Sequence, residues 1–296
     1  MLKPIKLSTR HNYTAFFLTF ACNLNCPYCI NWHNGDSKNI KFKNPLNASQ
    51  WIEAANRLVL RDDLPLTLQG GEPTLAKGFY QIANEVKPEI KFDLMTNLGF
   101  DVKKFIENVP LSRFLRVAEY APIRVSYHPG QNSIDDLIEK YFILVDAGFR
   151  VGLYGIMHPD PQIRNHILDT QERCLSMGID FRTKEFLGEW DGQYYGTLKF
   201  KESVVGEPFK RCECRTTELI VDPYGYIYKC HSDLYHSRDP IGHILSDEFD
   251  AEQIDSFRTC DYFGDCNPCD VKIKTNRFQQ FGHTSVEIIN IREIGK

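Results

Sequence analysis

The sequence lacks any long apolar run: nothing in its 296 residues approaches the about 18 consecutive apolar residues of a bilayer-spanning helix. It lacks the outline of a secretory leader, since Met1–Arg10 carries basic residues but no long apolar core. It lacks a marked excess of one charge, with 35 Lys and Arg against 39 Asp and Glu and a net charge of −4. That balance argues against a general binder of nucleic acid or of membrane surfaces. Internal repeats and low-complexity linkers are also missing, and the length suits one or two domains with a large core. Cysteine is not scarce. Ten of them without an export signal imply metal binding under reducing conditions, and so a cytoplasmic setting.

Three of the ten are crowded into Cys22-Asn-Leu-Asn-Cys26-Pro-Tyr-Cys29, directly after the apolar run Thr14–Phe20. Three thiolates in one short loop can ligate three irons of a cubane iron–sulfur cluster and leave the fourth iron open to a substrate or cofactor. Electron-transfer clusters held by four cysteines have no such opening. The competing assignment is zinc on Cys22, Cys26, Cys29 and His33, but structural zinc sites favour paired C-x2-C units. Three cysteines cannot all pair as disulfides.

The loop, with Tyr28 immediately before Cys29, resembles the C-x3-C-x-aromatic-C signature of the radical S-adenosylmethionine (SAM) superfamily. A second match, Gly70-Gly71-Glu72-Pro73, follows the apolar segment Leu64–Leu68, where that family carries its GGE motif. The two motifs lie about 40 residues apart, one βαβ crossover with its loops. The resemblance implies a 4Fe-4S cluster on Cys22, Cys26 and Cys29. It implies SAM chelated to the open iron, with its methionine amino group received by the backbone of residues 70–73.

Strand-like and helix-like segments alternate through the first two thirds. Strands are expected at Tyr13–Phe20, Leu64–Leu68, Lys91–Thr96, Ile123–Tyr127, Val151–Met157 and Asp180–Leu187. Helices are expected near Ser49–Leu60 with Ser49 as N-cap, and at Phe79–Val86, Val102–Val109, Ser133–Ala147 and Asn165–Ser176. Ser133 with Asp136 resembles a capping box. Six βα units point to α/β architecture with parallel strands and outer helices, and the resemblance makes this a partial (β/α)6 TIM-like barrel, open on one side.

In such sheets ligands gather at the C-terminal ends of the strands. The third strand ends at Asn97 and the fourth carries Ser126, both candidates to hydrogen-bond the ribose or carboxylate of SAM. The fourth strand ends in His128-Pro129 and the fifth in His158-Pro159, so the two histidines can face a substrate across the barrel mouth and bind it or move a proton. The sixth carries Arg182, Lys184 and Glu185. The stretch Glu189–Tyr195 either covers the substrate or serves as the linker to a second domain. Cys174, alone on an expected helix, is a buried apolar residue.

Cysteines return after residue 205. Cys212-Glu-Cys214 precedes a hairpin pattern around Asp222-Pro-Tyr-Gly225, which leads to Cys230, and then come Cys260 and Cys266-Asn-Pro-Cys269. This resembles the auxiliary-cluster extension called SPASM or, in its shorter form, twitch. Residues 1–204 are thus expected to be the barrel and 205–296 a small cysteine-rich domain holding an auxiliary 4Fe-4S cluster. Cys230, Cys266 and Cys269 are the expected ligands, with the fourth from Cys212 or Cys214. Cys260 is a further contender and, if spare, a candidate hydrogen-atom donor to a product radical. A zinc knuckle is the alternative for this region.

The resemblance implies reductive cleavage of SAM to a 5′-deoxyadenosyl radical that abstracts hydrogen from a substrate C–H bond. Loss of an electron to the auxiliary cluster then gives oxidation, whereas hydrogen return from a thiol gives epimerisation. The implied electron donor is a flavodoxin or ferredoxin. The fewer than 15 residues before the first strand favour a small molecule such as a sugar over a peptide. Modification or maturation of a peptide or partner protein is the alternative, and a non-catalytic zinc or iron–sulfur adaptor is a third, against which the intact Gly70–Pro73 speaks.

Overall fold

In the computed structural model, which describes residues 2–29, 31, 45–186, 188–195, 210–263 and 286–290, successive strands lie side by side in chain order. They are β1 (Tyr13–Thr19), β2 (Leu66–Gly70), β3 (Phe92–Thr96), β4 (Ile123–Tyr127), β5 (Val151–Met157) and β6 (Phe181–Glu185), each parallel to the next. Helices α1 (Ala48–Asn56), α2 (Phe79–Glu85), α3 (Val102–Asn108), α4 (Ile134–Asp146) and α5 (Pro161–Ser176) fall between them. This is the expected partial barrel. Among the described residues no helix is long and apolar enough to cross a membrane.

Local chemistry moved some helix boundaries. Ser49 does not cap α1; Asn47 does, accepting the Gln50 N–H while the Gln50 side chain accepts the Asn47 N–H. The amide pair closes a capping box two residues earlier than the hydroxyl suggested. Helix α5 begins at Pro161, four residues before Asn165, because Asp160 caps it and proline suits its first turn. Ser133 does cap α4, but the Asp136 carboxylate pairs with Lys140 at 2.9 Å instead of completing a box.

The core lies between the sheet and its helices. Phe105 on α3 is fully buried among the rings of Phe79, Phe100, Phe114 and Phe149, with centroids 5.0–6.3 Å away. Buried Arg113 fastens the end of α2 by donating to the carbonyls of Ala83 and Asn84 in its last turn and of Val86 and Lys87 just beyond it. Cys174 is fully buried in this core, as expected.

The sheet continues beyond β1. After the short hairpin β7 (Gly188–Trp190) and β8 (Gln193–Tyr195), and then β9 (Lys210–Thr216), strand β10 (Glu218–Val221) adds in parallel to β1. Strands β11 (Tyr226–Tyr228) and β12 (Gly242–His243) follow antiparallel, making nine strands in the order β12-β11-β10-β1-β2-β3-β4-β5-β6. The expected turn at Asp222–Gly225 closes the β10–β11 hairpin, with the Gly225 N–H donating to Asp222 O. Helix α6 (His231–His236) follows Cys230. A separate sheet places β9 between β13 (Arg258–Phe263) and β14 (Val286–Asn290). The boundary expected at 204/205 falls outside the described residues.

Strand alternation sorts the barrel's two faces. Ile123, Val125 and Tyr127 join the core under the helices, so Arg124 and Ser126 point inward. At the floor, buried Asp93 of β3 accepts from Arg116 (Nε 2.9 Å), from Tyr120 Oη at 3.1 Å and from Arg124 at 3.2 Å.

Candidate active site

Where β1 ends, its backbone runs against the end of β2. The N–H of Gly71 donates to Thr19 O and that of Glu72 to Ala21 O, both at 2.8 Å. A Cβ at Gly70, whose φ is +150°, would lie 1.9 Å from Thr19 O, and one at Gly71 would lie 2.2 Å from Ala21 O. The glycines are therefore required by the close approach of the cysteine loop's own root. Pro73 opens a 3₁₀ turn over Pro73–Leu75.

Glu72 is fully buried and its carboxylate is committed to the protein. It accepts the Thr74 N–H, the hydroxyls of Thr74 and Thr96, and the Asn97 N–H. Burial is the largest influence on this carboxyl and raises its pKa, against the pull of those donors. The Asn97 side chain then donates to Asn23 Oδ1 at 2.8 Å and to Cys22 Sγ at 3.6 Å. The ends of β2 and β3 thus hold the cysteine loop from below.

Within the loop the Cys29 N–H donates to Cys26 O, and Cys22 Sγ accepts the Leu24 N–H at 3.4 Å. Gln131, after β4, accepts the Asn25 N–H at 2.9 Å. Cys26 is buried, whereas Cys22 and Cys29 are partly exposed. Donors aimed at sulfur favour thiolate, and three thiols sharing one neighbourhood at the strand ends suit a soft iron–sulfur core. His33, the expected fourth ligand of the zinc alternative, lies outside the described residues.

Tyr28 gathers both histidines. Its hydroxyl lies 3.3 Å from His128 Nδ1, and its ring centroid lies 5.8 Å from that of His128 and 5.2 Å from that of His158. Burial first, then the sulfurs of Cys26 and Cys29 among its neighbours, keep the Tyr28 phenol protonated. Burial, with Lys184 adding to it, lowers His128 to a pKa of about 4, so its imidazole is neutral near pH 7. His158 is 1% exposed and burial lowers its pKa as well. Its Nδ1 accepts the Asp160 N–H at 3.1 Å, which places the proton on Nε2, and that atom has no hydrogen-bond partner among the described residues. Phe186 and Trp190 cover the same ring at 5.0 and 4.2 Å. Trp190 belongs to the β7–β8 hairpin, so residues 188–195 lie over the mouth; the turn Asp191-Gly192 has φ of 51° and 71°, as a tight hairpin of type I′ needs. Ser126 is half-buried on the inner face, and its carbonyl accepts from Asn132.

A second set of thiols lies beside β10. Cys214, Cys230 and Cys260 are all buried, and a hydrogen bond with Cys260, followed by burial, pushes the Cys214 thiol far up. Lys229 sits among the three, its ammonium 3.2 Å from Asp233 and its pKa raised. Cys260 thus stands with Cys214 and Cys230. Cys212 is directly opposite Cys260 in the β9–β13 register. Cys266 and Cys269 lie outside the described residues. Buried thiols that oppose one another's ionisation suit a cationic metal or cluster. Next to Cys230, His231 Nδ1 lies 3.3 Å from fully buried Glu218, and its ring faces Tyr13 and Phe17 of β1. Among the described residues no three His, Cys, Asp or Glu side chains already stand at metal-holding spacing.

Asn23, Gln131, Phe186 and the Glu218–His231 pair join the site without any motif in the sequence that points to them. The Asp93–Arg124 floor does have a legible sign, a charged residue amid apolar strand neighbours, which marks an inward-facing group.

The radical SAM superfamily model matches residues 16–173, rather more than half of the chain. No curated protein sequence matches significantly. Among solved structures, native anSMEcpe with bound AdoMet and a Cp18Cys peptide aligns at 12% identity with a TM-score of 0.53, covering 85% of this chain and 80% of that one. Native anSMEcpe with bound AdoMet alone aligns at 14% identity and a TM-score of 0.54, with the same coverage.

Proposed function

The chain belongs to the radical SAM superfamily, whose members bind a 4Fe-4S cluster and S-adenosylmethionine, and from that premise we propose that it oxidises or epimerises a substrate at an unactivated C–H bond. The observation that carries the proposal is the convergence of Cys22, Cys26 and Cys29 with the Gly70–Glu72 turn and Asn97 at the C-terminal ends of β1, β2 and β3.

Cys22, Cys26 and Cys29 would hold the cluster. When bound, reduced cluster and SAM together supply a 5′-deoxyadenosyl radical able to take hydrogen from carbon. The chain's own residues place and shield that chemistry. The N–H groups of Gly71 and Glu72 are engaged by β1 and its loop, so this turn offers carbonyl oxygens, which suit the methionine ammonium of SAM. Glu72 fixes Asn97, and Asn97 fixes Cys22. Ser126 lines the inner wall as a candidate contact for the ribose or carboxylate. His128 and His158, neutral near pH 7, offer the substrate hydrogen bonds, and Trp190 and Phe186 exclude water above them.

Four of the six thiols, Cys230, Cys266 and Cys269 with the fourth from Cys214, Cys260 or Cys212, would hold an auxiliary 4Fe-4S cluster that accepts the substrate's electron in the oxidative outcome. The hydrogen bond between Cys214 and Cys260 favours Cys260 as a member of that set over hydrogen-atom donation. A flavodoxin or ferredoxin in the cytoplasm would supply the reducing electron.

The sequence favoured a small molecule such as a sugar. A peptide substrate is the second reading, supported by the likeness in fold to anSMEcpe, which was solved with a peptide bound. Iron and sulfide analysis of the anaerobically reconstituted protein tests the two-cluster assignment. About eight irons per chain is expected; about four would remove the auxiliary cluster, and zinc in the C-terminal region would replace it with a knuckle.

A further inference from the structure

Charge inside the barrel does not balance. At the floor, two guanidinium groups, Arg116 and Arg124, share the single carboxylate of Asp93. Arg182 of β6 is paired with Asp180 at 2.9 Å. Two residues on, along the same inner face, stands Lys184, half-buried, its ammonium 4.6 Å from the centroid of the Tyr154 ring. The register sets Lys184 beside Ile156 of β5, and Tyr154 beside Ser126 of β4. No carboxylate pairs with Lys184 among the described residues.

The groups that face it are themselves cationic or neutral: Arg124 and His128 from β4, and Tyr154 from β5. The ring of Tyr154 offers only a partial counter-charge. A partly buried ammonium beside a guanidinium is disfavoured until an anion joins it. Burial first, and Arg124 second, bring Lys184 down to a pKa of about 7. Lys184 is the next-to-last residue of β6, and the register through Ile156 sets it level with His128 at the end of β4, close to the mouth where Tyr28 and His158 meet.

We propose that Lys184 is the docking point for an anionic group, carboxylate or phosphate, carried by the substrate. This rests on the barrel being the substrate chamber. Such an anion offsets the charge of Lys184 and meets an ammonium already oriented by Tyr154. With the anion held near the C-terminal end of β6, the remainder of the substrate lies across the barrel mouth, where hydrogen abstraction is expected. The candidate substrates narrow to acids and phosphate esters, a peptide with an acidic side chain or terminus included. The other anion able to reach this chamber is the methionine carboxylate of SAM.

Competitive labelling of the reconstituted holoenzyme with trace acetic anhydride, read by mass spectrometry of the peptide holding Lys184, tests this. The probe is inorganic phosphate, added after SAM has reached saturation. Lys184 is expected to acetylate with a midpoint near pH 7, and phosphate is expected to slow its labelling several-fold while surface lysines such as Lys103 are unaffected. Labelling of Lys184 that ignores phosphate in the SAM-saturated enzyme would overturn the proposal. Full protection by SAM alone would also overturn it, by assigning the anion to the methionine carboxylate. SAM cleavage measured in the same preparation separates a failed docking point from a failed reading of the barrel.

Discussion

Glu72 and Asn97 are joined by a 2.8 Å hydrogen bond from the Asn97 N–H to Glu72 Oε2. Through it the end of β2 holds the end of β3, and the Asn97 side chain carries the link on to Cys22. Replacing Glu72 by Gln keeps the shape but turns an amide NH₂ toward backbone and hydroxyl donors. Denaturant unfolding of Glu72→Gln is expected to show a loss of about 1–3 kcal/mol, with weaker cluster retention. Unchanged stability would mean that the buried carboxylate does not fasten the strand ends.

Gly71→Ala sets a Cβ against Ala21 O at a distance that cannot be accommodated without moving backbone. The loop root must shift, so the variant is expected to lose iron at the three-cysteine site on reconstitution while the thiols near β10 keep theirs. Iron analysis with iron–sulfur EPR distinguishes the two sites.

The signature residues and the barrel strands were legible because both depend on local pattern: cysteine spacing for one, runs of apolar residues for the other. The N-cap at Asn47 was misassigned because hydroxyl and amide caps compete within three residues, Asn47-Ala-Ser49, and only the reciprocal bond with Gln50 decides between them. The reason for Gly70 and Gly71 was likewise hidden. Sequence implied a ligand close to the backbone, whereas the described contact is with Thr19 O and Ala21 O, a relation between segments about 50 residues apart in the chain. The meeting of His128 with His158 over Tyr28, and the joining of β10 to β1, are also products of tertiary pairing that no single segment encodes.

Asp222 gives a pH signature independent of the cysteines. Burial is the largest influence and raises its pKa to about 6, against hydrogen bonds from the Tyr226 and Tyr224 N–H groups and the Tyr228 hydroxyl. Because the folded pKa lies above the unfolded one, its stabilising contribution is present below about pH 4 and is lost as pH rises through about 6. The shift amounts to roughly 3 kcal/mol. Urea midpoints measured from pH 4 to 7 are expected to decline more steeply in the wild type than in Asp222→Asn. Parallel curves would contradict the assignment.

Phe105→Ala removes a fully buried ring contacted by four others on the helix side of the sheet. Its expected cost is about 3–5 kcal/mol, read as a lowered Tm. SAM cleavage well below that Tm should persist, since the cavity opens on the face opposite the barrel interior.

The central claim is that Cys22, Cys26 and Cys29 serve SAM cleavage, and dithionite-dependent release of 5′-deoxyadenosine tests it most directly. The anaerobically reconstituted wild type is expected to release 5′-deoxyadenosine with matching methionine, and the Cys22→Ala, Cys26→Ala, Cys29→Ala triple variant to release none while retaining its auxiliary iron. Cleavage retained in the triple variant, or absent from a fully iron-loaded wild type, would contradict the account.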